Sequence, residues 1–159
     1  MKRALKKIGA VATATAAVLM TGAPSASATV GPGVKIPLTT ATPNSRCGAE
    51  WIAYQTYLKF QCDGNLVLYR TSDNHAMWAS GTYYGYIPNL LDFAHQGYIS
   101  LWSGSDEVAE IGNISNPAPN GVVAVQDDGN MVIYNTAGQP VWQTGTYNNQ
   151  QGSVHGQGA

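Results

Sequence analysis

Three segments of this chain align with one another without gaps, and this internal repeat is the feature that most restricts its fold. Residues 64–69, 97–102 and 129–134 each begin with glycine, continue through a mostly apolar run and end in Tyr or Trp. Their glycines are 33 and 32 residues apart. Corresponding positions downstream hold large apolar residues: Trp78, Ile111 and Trp142. A period of this length indicates that each copy is one small structural unit that packs against the others.

The repeated segments have the composition of β-strands. Short runs of β-branched and aromatic residues are interrupted every few residues by turn signals, and no stretch sustains a 3.6-residue apolar period with caps. A few short strands cannot bury their apolar face alone, so the three copies must pack about a common axis. We therefore predict an all-β protein with three sides and one sheet per repeat. The recurring tryptophans should lie near the axis, because large aromatic side chains contribute the most buried area.

The repeats divide the chain into one domain and its flanks. We predict a single domain over residues 46–147. Residues 29–45 are rich in Thr, Pro and Gly, which predicts a linker or a loosely attached first strand. Residues 148–159 are rich in Gln and Gly without an apolar period, which predicts a flexible tail.

The first residues of the chain have the three parts of a secretory signal peptide. Four basic residues precede an uncharged, mostly apolar run from Ile8 to Met20, and small residues follow, ending in Ala26-Ser27-Ala28. A retained membrane anchor is the weaker alternative, because the apolar run is shorter than the roughly 20 residues that cross a bilayer. We predict a signal peptide over residues 1–28, cleavage after Ala28 and a secreted protein.

Removal of the signal peptide leaves an acidic chain. Four of the eight basic residues leave with it, whereas all nine acidic residues remain, so the mature net charge is −5. The basic residues that remain form no stripe, which argues against nucleic acid or anionic lipid as a partner. No second apolar run is long enough for membrane insertion. We expect a neutral ligand.

Two cysteines, Cys47 and Cys62, lie in the predicted exported part of the chain. An oxidising compartment makes a disulfide between them the default expectation. A loop of this length would contribute roughly 3 kcal/mol of stability on the chain-entropy model. A reactive or metal-binding thiol is the alternative, but neither cysteine has a His or a second Cys at ligand spacing.

The first and third repeats carry a pattern of polar residues that suits a sugar. Both place Gln, Asp, Asn, Val and Tyr at every second position, so the five would share one face of an extended strand. A turn at the Asp-Gly-Asn signal would interrupt this alternation, and the five could then still converge across a bend. Amide, carboxylate and phenol groups match sugar hydroxyls, which both donate and accept hydrogen bonds, and a small apolar side chain suits the ring carbons. The candidate binding residues are Gln61, Asp63, Asn65, Val67 and Tyr69, and Gln126, Asp128, Asn130, Val132 and Tyr134.

These two segments resemble the Q-x-D-x-N-x-V-x-Y motif of the bulb-type (monocot, snowdrop-like) mannose-binding lectins. The motif occurs twice, on either side of a further repeat, and the repeats cover the chain from about residue 45 to residue 146. The resemblance implies a β-prism II fold of three four-stranded sheets with pseudo-threefold symmetry. It also implies that mannose is held by the Gln, Asp, Asn and Tyr of each motif and touched by its Val.

The middle repeat departs from this motif. The five positions hold Ala94, Gln96, Tyr98, Ser100 and Trp102. Because the amides and the carboxylate are lost, we predict that this third site is degenerate and does not bind mannose as the family does. Trp102 has two interpretations, stacking on another sugar or packing, and packing is favoured.

Other chemistry receives little support from the sequence. The three histidines, at positions 75, 95 and 155, have no partner at metal spacing, so neither a metal nor a cofactor is expected. Adjacent Asp127 and Asp128 would point to opposite faces of a strand, unlike the paired acids of a glycosidase. Asn113-Ile114-Ser115 fits a glycosylation sequon but is better interpreted as a turn. No motif for a catalytic nucleophile, a zinc protease or a phosphate-binding loop occurs.

The sequence thus predicts a secreted lectin, not an enzyme, that binds mannose or mannose-containing glycans. One alternative is a bacteriocin-like antagonistic protein that uses the same prism to dock on cell envelopes. Another is a non-binding structural module, since Asp-Gly-Asn turns and strands ending in Tyr also occur in β proteins without a ligand. The resemblance further suggests a homodimer formed by exchange of C-terminal strands.

Overall fold

The computed structural model describes residues 33–83, 87–94 and 96–149. The predicted signal peptide lies outside this part of the chain, as do His95, His155 and the predicted tail from residue 150 onward. Exchange of C-terminal strands in a homodimer depends on that tail and stays a prediction.

The described residues form twelve β-strands and one short 3-10 turn at Tyr147–Asn149. The strands are β1 Val34–Pro37, β2 Ser45–Arg46, β3 Glu50–Ile52, β4 Thr56–Phe60, β5 Leu66–Arg70, β6 Ala76–Ala79, β7 Leu90–Ala94, β8 Tyr98–Ser103, β9 Asp106–Ile111, β10 Val122–Val125, β11 Met131–Tyr134 and β12 Pro140–Gln143. Three four-stranded antiparallel sheets result: the first, β3-β4-β5-β6; the middle, β2-β7-β8-β9; and the third, β1-β10-β11-β12. Among these residues, no helix is long and apolar enough to cross a membrane. The predicted all-β, three-sheet architecture is confirmed.

Each sheet has an inner and an outer face, because alternate residues of a strand point to opposite sides. In β4, Thr56, Leu58 and Phe60 are fully buried, whereas Tyr57 and Lys59 between them are partly exposed. The inner residues of the three sheets join one continuous apolar core. The outer faces are therefore the surfaces on which the repeats are free to differ.

The structure differs from one sheet per repeat in one respect. The middle and third repeats each supply three strands, and residues 34–46 supply the fourth strand of both sheets. Strand β1 pairs with β10 over four residues, and the shorter β2 pairs with β7. Pairing with β1 and β2 satisfies backbone N–H and C=O groups of β10 and β7 that would otherwise lie at an open sheet edge.

The predicted position of the tryptophans is confirmed. Trp78 and Trp142 lie in the core with their ring centroids 5.8 Å apart and their planes at 80°, an edge-to-face contact. Ile111, at the corresponding place of the middle repeat, is 1% exposed and belongs to the same core. Each fully buried side chain of this size contributes roughly 1.5–3 kcal/mol relative to exposure. The three repeats are held together mainly by this shared interior.

The glycine that opens each repeat adopts a positive φ, a conformation that other residues rarely adopt. The φ angles are 87° at Gly64, 100° at Gly97 and 98° at Gly129. Gly97 is also a point of close approach, since a Cβ atom there would lie 2.3 Å from the backbone of Ala118. The repeated glycine thus permits the turn and, in the middle repeat, the packing of the segment that follows β9.

Cys47 and Cys62 form the predicted disulfide, with their Cα atoms 4.7 Å apart. Next to it, the Gly48 N–H donates to the Phe60 carbonyl at 2.7 Å. The disulfide therefore ties the connection between β2 and β3 to the end of β4. Cys62 is also the residue between Gln61 and Asp63, so the disulfide restrains the backbone that carries these two candidate binding residues.

The close approach at Gly97 gives a direct test of the packing between repeats. We expect Gly97→Ala to destabilise the protein by roughly 3 kcal/mol or more, because the new methyl group would collide with the Ala118 backbone. Gly138→Ala is the matched control. Its φ is 75°, but no atom would lie within 4 Å of the added Cβ atom, so the strained backbone alone should lower the free energy of unfolding, by about 1 kcal/mol. Urea unfolding followed by tryptophan fluorescence measures both. Equal losses in the two variants would contradict the packing described here.

Candidate functional site

The five candidate residues of the third repeat surround a single hairpin. Gln126 follows β10, Asp128 lies in the turn, Asn130 precedes β11, and Val132 and Tyr134 lie on the outer face of β11. We call this group the third-repeat site. The corresponding group around the hairpin between β4 and β5 is the first-repeat site: Gln61, Asp63, Asn65, Val67 and Tyr69.

The two ends of each motif meet across the hairpin. The side-chain amide of Gln126 donates to the Tyr134 hydroxyl at 2.8 Å, and the amide of Gln61 donates to the Tyr69 hydroxyl at 2.6 Å. The backbone N–H of each Gln donates to the carbonyl of the motif Asn at 2.8 Å. Residues eight positions apart are thus brought to one place by the bend that the Asp-Gly-Asn signal predicts.

The aspartate of each motif shapes the turn with only one of its oxygens. Asp128 Oδ1 accepts the Asn130 N–H at 3.0 Å, and Asp63 Oδ1 accepts the Asn65 N–H at the same distance. This Asx-turn is a local alternative to a backbone turn. The other oxygen of Asp128, Oδ2, is buried and has no hydrogen-bond partner in the described part of the chain.

The asparagine of each motif is held by the segment that follows the last strand of its sheet. Asn130 Oδ1 accepts from the Thr144 hydroxyl at 2.8 Å and from the Thr146 N–H at 3.2 Å, and its Nδ2 donates to Gln143 Oε1 at 3.0 Å. In the first repeat, Asn65 Oδ1 accepts from the Ser80 hydroxyl and the Gly81 N–H, both at 3.0 Å. The orientation of each amide is therefore fixed before any ligand arrives.

Sequence reasoning missed these supporting residues, although a signal was present. Residues 78–82 read Trp-Ala-Ser-Gly-Thr and residues 142–146 read Trp-Gln-Thr-Gly-Thr. The segment of the middle repeat, from Ile111 to Ser115, shares neither the hydroxyl residue nor the Gly-Thr pair at those places. The support is thus present only in the two repeats that carry the motif.

The two sites differ in burial and in their surroundings. In the third repeat, Gln126 is only 7% exposed, and its Oε1 is buried without a hydrogen-bond partner among the described residues. In the first repeat, Gln61 is partly exposed, and Tyr57 stacks on Tyr69 with ring centroids 5.1 Å apart. An ion pair between Lys59 and Glu50 at 2.7 Å lies beside Val67 on the same sheet. The third-repeat site is therefore the more enclosed of the two.

Burial changes the titration of the enclosed site. Desolvation is the main cause that raises the pKa of the Asp128 carboxyl, against the hydrogen bond from the Asn130 N–H, which lowers it. Desolvation likewise raises the pKa of the Tyr134 hydroxyl, while the hydrogen bond from Gln126 lowers it. The carboxylate of Asp128 is thus a charged acceptor in a partly dehydrated place, where a hydrogen bond to a hydroxyl is stronger than in water.

The middle repeat presents different chemistry on its outer face. Ser100 is directly opposite Asp92 on one neighbouring strand and Glu110 on the other. Trp102 is opposite Glu107, and the pKa of the Tyr98 hydroxyl is raised by burial and then by its hydrogen bond with Glu110. This face has carboxylates and aromatic rings in place of the two amides of the motif.

The adjacent carboxylates of the third repeat do not act on one place. Asp127 Oδ1 accepts the Tyr54 N–H at 2.6 Å, whereas Asp128 bonds within its own turn. Among the described residues, no group of three or more His, Cys, Asp or Glu side chains is arranged to hold a metal ion. The groups that the hairpins assemble are hydrogen-bonding groups that suit a neutral polar ligand.

Solved structures of lectins resemble this chain. Monomeric monocot mannose-binding lectins from Gastrodia elata match with a TM-score of 0.59 and 27% identity, over 71% of this chain and 97% of that chain. The Marasmius oreades lectin matches with a TM-score of 0.57 and 19% identity, over 74% and 95% of the two chains. A mannose-specific lectin from Dutch crocus, Crocus vernus, matches with a TM-score of 0.50 and 22% identity, over 58% and 82%.

No protein-family model matches the chain, and no curated protein matches it. The similarity therefore rests on three-dimensional structure at low sequence identity, together with the repeated motif. It confirms the predicted resemblance to the monocot mannose-binding lectins and the β-prism II fold.

The raised pKa of Asp128 predicts that this carboxyl group lowers the stability of the folded chain in a pH-dependent way. Its pKa lies higher in the folded chain than in the unfolded one, so between the two values the folded state binds more protons and stability falls as pH rises. That window begins near the ordinary Asp pKa of about 3.9 and extends upward from it. At neutral pH we expect Asp128→Asn to raise the melting temperature by a few degrees, with the gain disappearing below the window.

Thermal unfolding across a pH series measures this effect. Asp127→Asn is the matched control, because it makes the same charge change one residue away while Oδ1 still accepts the Tyr54 N–H. A melting temperature of Asp128→Asn that stays below that of the wild type at every pH would contradict the desolvation of this carboxylate.

Proposed function

We propose that the mature chain is a secreted, non-enzymatic lectin that binds mannose or mannose-containing glycans at the first-repeat and third-repeat sites. The observation that carries this proposal is the pair of buried, unpartnered acceptors in the third repeat, Gln126 Oε1 and Asp128 Oδ2. A buried polar atom without a partner costs free energy, so its presence in a hairpin fixed by hydrogen bonds favours a ligand that supplies the missing donors. The hydroxyl groups of a pyranose are such donors.

The other groups of the site complete the match to a sugar. The Tyr134 hydroxyl already accepts a hydrogen bond from Gln126 and keeps its own proton for a ligand oxygen. Val132 lies two residues away on the same face of β11 but is fully buried, so it supports the site from beneath and is not an exposed apolar surface. The groups that the site offers to the hydroxyls of a pyranose are therefore its polar ones.

Binding at each site should be weak. Neutral hydrogen bonds formed in competition with water contribute only about 1 kcal/mol each. A few such bonds correspond to a dissociation constant of about 1 mM, or −4.1 kcal/mol. Two sites on different sheets of one prism can raise the affinity for a multivalent glycan, because the second contact becomes intramolecular.

The face of the middle repeat is not part of this proposal. Ser100 stands at the valine position; its Oγ is also buried without a partner among the described residues, but Ala94 and Tyr98 replace the two amides of the motif. Asp92 and Glu110 on the neighbouring strands add negative charge instead of donors. We propose that this sheet completes the prism without binding mannose. Export is a separate part of the proposal and is supported by the composition of residues 1–28.

Isosteric variants test the two sites without disturbing the fold. Asp63→Asn and Asp128→Asn keep the Oδ1 atom that shapes each turn and replace the other oxygen by a donor. Changing the motif asparagines to alanine would be less informative, because Asn130 makes three hydrogen bonds to its support.

Titration of residues 29–159 with methyl α-mannoside, followed by NMR of the valine methyl groups, reports each site separately. We expect saturable shifts at Val67 and Val132 in the wild type. Asp63→Asn should abolish the Val67 shift alone, Asp128→Asn the Val132 shift alone, and the control Asp127→Asn neither. No saturation at tens of millimolar sugar would contradict the proposal and would favour envelope docking or a structural role.

A further inference from the structure

We propose that the third-repeat site continues into a second sugar subsite, formed by the first sheet around Tyr54, where the turn between β3 and β4 is hydrogen-bonded to the third repeat. This inference rests on the proposed function, since it requires a mannose residue in the third-repeat site. It predicts that this site binds oligosaccharides better than monosaccharides, whereas the first-repeat site does not.

The first observation is an exposed aromatic residue on a fixed turn. Tyr54 lies between β3 and β4 and is 82% exposed, the most exposed of the large apolar side chains in the described part of the chain. The Ala53 N–H donates to the Thr56 carbonyl at 2.8 Å, which closes the turn. A large aromatic ring presented to solvent on a closed turn is an efficient contact surface for a ligand, because little freedom is lost on binding.

The second observation is that this turn is attached to the third-repeat site. The Tyr54 N–H donates to Asp127 Oδ1 at 2.6 Å, and the Thr56 hydroxyl donates to the Gln126 carbonyl at 2.9 Å. Thr56 is fully buried, so the second bond is protected from water. Asp127 lies between Gln126 and Asp128 in the chain, so the turn is anchored to the same hairpin, although the carboxylates of Asp127 and Asp128 bond at different places.

The third observation is a cavity next to the same turn, which we call the edge cavity. It is half open to solvent, its volume is about 370 Å³, and its lining residues all belong to the first sheet and its turns: Tyr54, Gln55, Arg70, Thr71 and Ser72. The Thr71 N–H donates a hydrogen bond to the Gln55 carbonyl at 2.9 Å, which joins the two segments that line the cavity. This volume falls within the roughly 300–1,000 Å³ that is typical of small-molecule sites.

The chemistry of the edge cavity suits a neutral sugar better than an anion. The guanidinium of Arg70 donates to both carboxylate oxygens of Asp73, at 2.9 and 2.6 Å, so its charge is compensated within the chain. What remains is an aromatic ring, an amide and two hydroxyl groups. This combination offers an aromatic face together with groups that can both donate and accept hydrogen bonds, as sugar hydroxyls do.

The first-repeat site lacks an equivalent. The position of Asp127 is occupied there by Cys62, which is part of the disulfide and has no carboxylate to hold a neighbouring turn. Its turn instead lies against Ile87 and Pro88, since a Cβ atom on Gly64 would lie 2.4 Å from the Pro88 ring. The subsite is therefore specific to the third repeat.

The affinity for a monosaccharide tests the proposed function, and the difference between this affinity and that for a disaccharide tests the second subsite. In an Asp63→Asn background, where only the third-repeat site binds, methyl α-mannoside and the α1-2, α1-3 and α1-6 mannobioses are titrated by NMR at Val132. We expect at least one mannobiose to bind more tightly than methyl α-mannoside. Tyr54→Ala should weaken that disaccharide about fivefold, the loss of roughly one stacking contact, and leave methyl α-mannoside unchanged.

Matched variants identify the cause. Tyr54→Phe should retain the disaccharide affinity because it keeps the ring, and Gln55→Ala should lower it because it removes the amide. Ile114→Ala, which truncates another exposed apolar side chain at 45% exposure, should change neither affinity.

Each outcome decides the inference. Equal binding of the monosaccharide and all three disaccharides, or equal losses for both in Tyr54→Ala, would overturn the subsite while leaving the third-repeat site intact. No binding of methyl α-mannoside by the parent protein would overturn both proposals.

Discussion

The whole structure depends on one shared apolar interior. No four-stranded sheet of this size can bury its inner face alone, so three of them meet where Trp78 packs edge-to-face on Trp142. Leu68, Leu101 and Ile133 occupy equivalent inner positions of the three sheets and are completely buried. This requirement constrains one face of every strand and leaves the other face free, which is why the repeats are alike inside and chemically different outside.

The side chains of the outer sites are held in fixed positions by the same hairpins that form the core. A glycine with positive φ, an Asx-turn and a buried asparagine fix the polar groups of each motif within a few residues of the inner strands. Rigid support of this kind reduces the entropy that a ligand must overcome on binding. This arrangement also lowers the stability of the fold, because one carboxylate oxygen and one amide oxygen are buried without hydrogen-bond partners in the described part of the third repeat. Such a cost is tolerable only because the interior supplies a large stabilisation.

Much of this architecture could be predicted from the sequence, because the repeat and the alternation of apolar residues are local signals. The three sheets and the axial tryptophans followed from the repeat, with glycines 33 and 32 residues apart, and the meeting of each Gln with its Tyr followed from a motif of nine residues. The pairing of residues 34–46 with the middle and third sheets could not be predicted, because short strands far apart in sequence carry no signal of their partner. The same is true of the bond between Tyr54 and Asp127, which are 73 residues apart.

These long-range contacts show where a repeat scaffold can gain specificity. A single sugar forms only a few hydrogen bonds in competition with water, so its affinity for a site of this kind is limited by the size of the motif. Further contacts must come from outside the repeat, and the neighbouring sheet is the nearest structure to each turn. At the third-repeat turn that neighbour is the turn between β3 and β4, which carries the exposed Tyr54, whereas at the first-repeat turn it is the segment with Ile87 and Pro88. Under the proposed function, the two sites should therefore differ in the glycans they distinguish, because different structures lie beside two turns that carry the same five residues.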